Sequence, residues 1–175
     1  VPDSSSFRFR PQRVVSGGQT GVDRAGLDAA MALGMAHGGW CPRGRLAEDG
    51  VVPSRYELEE NDSRDYTVRT EQNVLDSDAT LIVYEGRLKG GTLLTRRLAQ
   101  RLRRPYLLVR IDKPWSAPTV WKWFDECCPR TLNVAGPRES TSPGIYERAL
   151  QALLRILERP SLNHSGQTSG SVEQP

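Results

Sequence analysis

Apolar positions along this chain come in two textures. Short unbroken runs, Val14-Val15, Leu81-Ile82-Val83 and Leu107-Leu108-Val109, have the length of strands and do not alternate with polar residues. Strands covered on both faces read in this way. Elsewhere apolar residues recur at three- and four-residue spacing: Val22, Ala25, Ala29 and Ala32 share a helical face, with Leu27, Ala30 and Met31 beside it, until Gly34 stops the run. The pattern predicts strands over 13–16, 35–38, 79–84, 105–111 and 131–135. It predicts helices over 22–33, 64–75, 92–103, 120–126 and 143–157. Regular alternation of the two textures from Arg13 to about Glu158 fits an α/β fold, a parallel sheet flanked by helices. Ligands of such sheets bind outside the carboxyl ends of the strands.

The loops expected at those ends are the unusual parts of the chain. Ser16-Gly17-Gly18-Gln19-Thr20-Gly21 follows the first strand, and Gly38-Gly39-Trp40-Cys41-Pro42 opens a long loop after the second. Glu85 to Thr92, ending in Gly90-Gly91-Thr92, follows the third, and Gly136-Pro137-Arg138-Glu139-Ser140 follows the fifth. A glycine-dense turn between strand and helix lets backbone N–H groups and the helix dipole face an anion at close range. The first turn has neither the lysine of a P-loop nor the G-x-G-x-x-G dinucleotide spacing. Thr92 reads as an N-cap, and Gly90-Gly91-Thr92 reads either as an ordinary capped helix start or as a phosphate site. A second such turn at Ser16–Gly21 favours two facing anion sites.

Composition narrows the class. A chain of 175 residues suits one domain, expected over 13–158, with 1–12 and 159–175 as disordered tails rich in Ser, Gly, Gln and Pro. No apolar run approaches the roughly 20 residues of a transmembrane helix, and Val1 to Arg13 does not read as a signal peptide. Cys41, Cys127 and Cys128 form no disulfide framework, so a cytoplasmic protein is expected. With only His37 and His164 and no Cys-x-x-Cys, no metal site is expected. The net charge of +3 is unevenly spread, with Arg96, Arg97, Arg101, Arg103 and Arg104 crowded together. That segment has no aromatic before Tyr106 and reads as a solvated helix face, which disfavours nucleic acid as a partner.

Individual side chains leave choices open. Asp23 either caps the first helix or meets a ligand hydroxyl or amine. Arg138 suits bidentate phosphate recognition or a surface ion pair, with Glu139 able to orient it. Trp40 either stacks on a heterocycle, with Arg43 and Arg45 near, or plugs the edge of the core. Arg69, Thr70 and Asn73 share a helix side that faces a ligand or water. Cys41 has no histidine placed to activate it and is not read as a nucleophile.

As an ordered set, several segments resemble the family of molybdenum carrier proteins, also described as circularly permuted YpsA-type members of the SLOG superfamily. They are Ser16 to Ala25, His37 to Pro42, Arg45 to Gly50, Arg69 to Val74, Gly90 to Thr92 and Leu132 to Ser140. The resemblance covers Arg13 to Leu157. It implies a Rossmann-like three-layer fold, a nucleotide-like ligand lying across the glycine loops, and a homo-oligomer. The family name implies the molybdenum cofactor, a pterin carrying phosphate, or molybdate itself. On this reading Gly17, Gly18, Gln19, Thr20 and Gly21 hold one anionic group. Gly90, Gly91 and Thr92 hold a second or share the first, while Gly136, Arg138, Glu139 and Ser140 add charge and hydrogen bonds. Asp23 and Asn73 meet the polar edge of the ligand.

The superfamily also includes phosphoribohydrolases, marked by Gly-Gly-x-Gly-Thr-x-x-Glu. Here Gly90-Gly91-Thr92 is followed by Leu93, Leu94, Thr95 and Arg96, with no glutamate in that turn. A hydrolase needs a carboxylate to activate water, and Glu139, Asp23 or Glu48 would have to substitute. The sequence therefore favours a binding or carrier protein for a phosphorylated small molecule, without catalytic residues, over a nucleotide N-glycoside hydrolase.

Overall fold

The computed structural model describes residues 8–159. Of the tails expected over 1–12 and 159–175, residues 1–7 and 160–175 lie outside the described residues. In chain order the first half contains β1 (Arg13–Val15), α1 (Val22–Ala32), β2 (Ala36–Gly38), β3 (Trp40–Cys41), β4 (Leu46–Ala47), β5 (Gly50–Val51), β6 (Glu59–Glu60) and α2 (Tyr66–Leu75). The second half contains β7 (Ala79–Tyr84), α3 (Gly90–Arg101), β8 (Tyr106–Arg110), α4 (Ala117–Cys127), β9 (Thr131–Ala135) and α5 (Ile145–Leu157).

The main sheet has five strands in the order β2-β1-β9-β7-β8, and every pairing is parallel. Side chains of β7 alternate across it. Ala79, Leu81 and Val83 join Val22, Ala29, Phe124, Ile145 and Leu153 in one buried cluster beneath α1, α4 and α5. On the other face Val74 of α2 packs with Leu98 and Ala99 of α3. The result is a Rossmann-like three-layer α/β fold. Leu153 and Leu157 of α5 are fully buried, and Leu150 and Leu154 pack against the same core, so this helix spends its apolar face inside the chain.

Helix starts follow local chemistry. Asp65 caps α2 by accepting the Thr67 N–H, and Ser116 caps α4, whose first turn carries Pro118. That moves the start of α4 earlier than its apolar periodicity alone indicates. α3 also starts earlier than expected: it begins at Gly90 after Lys89, so Thr92 lies inside the first turn and is not the N-cap.

The stretch expected to be loop after β2 contains four short strands. β3 pairs with β6 in parallel, and β4 with β5 as an antiparallel hairpin. Arg45, at φ 52°, is the hub of this stretch. Its guanidinium donates to the carbonyls of Val52, Pro53, Tyr56 and Leu58. Val52, Tyr56 and Leu58 then bury against Leu27 and Cys41.

Candidate functional site

The carboxyl ends of β1, β9 and β7 open into a cavity of about 390 Å³. Chain order reverses across these strands, β1 leading to β2 on one side and β7 to β8 on the other, the usual location of ligand crevices in open α/β sheets. One wall is the start of α3. Lys89 occupies the N-cap position and no side chain caps the helix. By helix geometry the N–H groups of Gly90, Gly91 and Thr92 have no intrahelical acceptor, and no acidic residue sits in this first turn. Lys89 and Arg138 also line the cavity. Free N–H groups, a helix dipole and two cationic side chains therefore border one space, a favourable setting for an anion.

The opposite wall is more settled. Asp23, 4% exposed, accepts from Nη1 of Arg69 at 3.0 Å and from the Gln19 N–H at 3.3 Å. Burial pushes the Asp23 carboxyl above its ordinary 3.8, against the opposing pull of Arg69. Asn73 accepts the Trp40 N–H at 2.8 Å and donates to the Trp40 carbonyl at 2.9 Å. Its amide thus pins the loop after β2 while also lining the cavity. Trp40 donates its indole N–H to Asp76 and does not line the cavity. The floor includes Asn133, which donates to the Thr80 hydroxyl at 3.3 Å.

Of the residues read from the sequence as ligand-holding, Gly17, Gln19, Asp23, Asn73, Gly90, Gly91, Thr92, Gly136, Arg138 and Ser140 line this one cavity. Gly18 points elsewhere: a Cβ there would meet Leu58 at 2.5 Å. Thr20, Gly21 and Glu139 face an adjoining groove of about 680 Å³ beside α1 and α5. Gly21 lies against the Pro137 carbonyl, which a Cβ would approach to 2.4 Å. Glu139 accepts the N–H groups of Gly144 and Tyr146, and so caps α5. Lys89, Thr95, Asn133, Val134, Ala135 and Thr141 also line it and were not among the expected ligand-holding residues, while Arg69 and Thr70, read from the sequence as facing a ligand or water, line it too. Asn133 carried a signal, a polar residue inside the apolar strand Leu132-Asn133-Val134.

Glu48, at the turn of the β4–β5 hairpin, lines the groove. Its carboxylate accepts from the hydroxyls of Thr20 and Ser140 and from the Ser140 N–H, with Arg138 at 3.8 Å. Burial works to raise its pKa, but these bonds and Arg138 take it below the ordinary 4.5.

A three-layer parallel fold with a cationic, glycine-lined cavity at its strand reversal is a Rossmann-like domain, and that cavity is its candidate site. Comparison with known proteins specifies it further. Residues 14–157 match the model of the circularly permuted YpsA SLOG family, and the chain belongs to that family. It is also similar to a solved crystal structure named "Putative molybdenum carrier protein", from Syntrophus aciditrophicus SB. The two are 43% identical with a TM-score of 0.82, over 85% of this chain and 96% of that one. No curated protein matches the chain. Among the described residues no helix is long and apolar enough to cross a membrane.

Proposed function

We propose that the chain is a binding or carrier protein for a small heterocyclic molecule bearing a phosphate group. The observation that carries this reading is the uncapped start of α3, whose N–H groups share one cavity with Lys89 and Arg138. A phosphate there would accept from Gly90, Gly91 and Thr92, with Arg138 adding a charge-assisted bond. A cavity of about 390 Å³ falls within the range of small-molecule sites.

The molybdenum cofactor is the candidate that the related structure's name supports; a nucleotide is the broader class. The residues fit the phosphate of either. Among the described residues no cluster of His, Cys, Asp or Glu converges as a metal site. A molybdenum-bearing ligand would be gripped by its phosphate, at Gly90, Gly91, Thr92 and Arg138.

The state of the carboxylates weakens the hydrolase alternative. Asp23 is tied to Arg69, Glu139 caps α5, and Glu48 is bonded to Thr20 and Ser140. Asp23 is the one carboxylate among the described residues that lines the cavity. Gentle purification, denaturation and mass spectrometry of the released small molecules, with metal analysis, tests the proposal. A phosphorylated heterocycle is expected, and a stoichiometric ligand without phosphate would overturn it.

A further inference from the structure

The Glu48 carboxylate sits in a cluster of donors beside the candidate site. Two hydroxyls, one backbone N–H and a guanidinium converge on a single carboxylate. Such a donor set is what a phosphate group takes from a protein. It is also placed where a ligand would reach it: Arg138 and Ser140 line the main cavity, and Ser140, Thr20 and Glu48 line the adjoining groove. The Glu48 carboxylate, which lines the groove, thus engages donors that border the groove and, through Arg138 and Ser140, the main cavity.

We propose that Thr20, Arg138 and Ser140 form a second anion subsite, occupied at rest by the Glu48 carboxylate, which a ligand with two phosphate groups displaces. This rests on the phosphorylated-ligand reading above and extends it to diphosphate esters. The first phosphate sits at the start of α3, and the second replaces Glu48.

The hairpin that carries Glu48 is built for such an exchange. β4 and β5 pair only through Leu46 with Val51 and Ala47 with Gly50, and β5 is exposed. The backbone has separate anchors. Asp49 holds Arg24 through two bonds of 2.6 and 2.7 Å, and the Glu48 N–H donates to the Gln19 side chain at 2.9 Å. The carboxylate can rotate out of the cradle while those anchors hold the hairpin. The depressed pKa of Glu48 keeps it anionic near neutrality, so carboxylate and ligand compete as like charges for the same donors.

Titration with inorganic phosphate and with pyrophosphate, followed by calorimetry and phosphorus NMR, tests the subsite without requiring the natural heterocycle. Wild type, Glu48→Ala and Glu48→Gln are compared, with circular dichroism and thermal melts to establish that each variant is folded. Glu48→Gln keeps an acceptor for the Ser140 N–H and guards against collapse of the loop. Glu48→Ala is expected to tighten pyrophosphate by about tenfold, equivalent to about 1.4 kcal/mol, and to add a second phosphate to the stoichiometry. Glu48→Gln is expected to give a smaller gain of the same sign, and Thr20→Val in the Glu48→Ala background is expected to remove it. If wild type binds phosphate but neither Glu48 variant changes stoichiometry or favours pyrophosphate, the subsite is wrong and the function stands. If phosphate and pyrophosphate bind none of the folded proteins, the phosphorylated-ligand reading fails and takes the subsite with it.

Discussion

Nη1 of Arg69 lies 3.0 Å from Oδ2 of Asp23, joining the middle of α2 to the first turn of α1 beneath the candidate site. The guanidinium fills the space that a side chain at Gly17 would need: a Cβ there would stand 1.4 Å from Nη1. The glycine that reads as a ligand contact thus has a structural reason to be glycine. The pair is almost wholly removed from water, with side-chain exposures of 12% and 6%. Arg69→Ala leaves Asp23 buried without its counter-charge, and a urea midpoint should report a loss of about 3–5 kcal/mol. Adding Asp23→Asn should recover part of that loss. A loss below about 1 kcal/mol, the scale of a surface pair, would show that the pair does not fasten α1 to α2.

Two glycines of the cavity separate packing from binding. A Cβ at Gly136 would stand 2.2 Å from the Val83 carbonyl oxygen and 2.6 Å from Val22. Gly136→Ala should therefore lower stability by about 1–3 kcal/mol, as overpacking does. A Cβ at Gly91 meets nothing within 4 Å. Gly91→Ala should stay within about 0.5 kcal/mol of wild type while weakening phosphate binding by crowding the donors of α3. Parallel thermal melts and calorimetric titrations distinguish the two, and equal effects of both on stability would contradict the packing described here.

Arg138 is 40% exposed, and its ion pair with Glu48 is long at 3.8 Å. Arg138→Ala should cost little stability. It should weaken a phosphorylated ligand by about 10- to 100-fold, the scale of a hydrogen bond to a charged group, about 1.5–3 kcal/mol. Unchanged affinity in equilibrium dialysis would remove Arg138 from the site.

Acid should loosen the loops before the core. Bonds from Arg24 hold Asp49 below its ordinary 3.8, bonds from Arg148 hold Glu85 below 4.5, and bonds from Arg159 hold Asp125 below 3.8. For such lowered carboxylates the stabilising contribution is complete above the ordinary value and is lost as pH falls through the folded one. Asp23 has the opposite sign: its contribution is complete below 3.8 and is lost as pH rises through its raised value. Urea midpoints should fall as pH drops below the ordinary carboxylate values, and Glu85→Gln should make that fall shallower. An unchanged slope would mean that the Glu85–Arg148 pair, at 2.6 Å, carries none of it.

The sheet strands were legible because their apolar runs are bounded by polar turns: Leu81-Ile82-Val83 is wholly buried, whereas Leu107-Leu108-Val109, on the edge strand β8, is fully buried only at Val109. Helix starts were less legible, since they depend on caps. Ser116 caps α4 three residues ahead of Thr119, and Lys89 precedes α3 without capping it. The segment around Arg45 was not legible. Four backbone carbonyls converge on its side chain, and no local periodicity announces a tertiary hub. In the candidate site, the glycine turns and the main cavity share one rim, but spacing could not say which face of a turn is exposed. Gly17 and Gln19 line the cavity while Thr20 and Gly21 face the groove. Likewise Asn73 spends its amide on the backbone of Trp40, a partner 33 residues away that no motif indicates.

In the proposed function a phosphate at the start of α3 anchors the ligand. Calorimetry with matched pairs, a nucleoside and its monophosphate, and a pterin alcohol and its phosphate, addresses it most directly. The phosphorylated member of at least one pair should bind about tenfold or more tightly than its partner, and Arg138→Ala should erase most of that difference. Equal affinity within every pair, in wild type and variant alike, would contradict it.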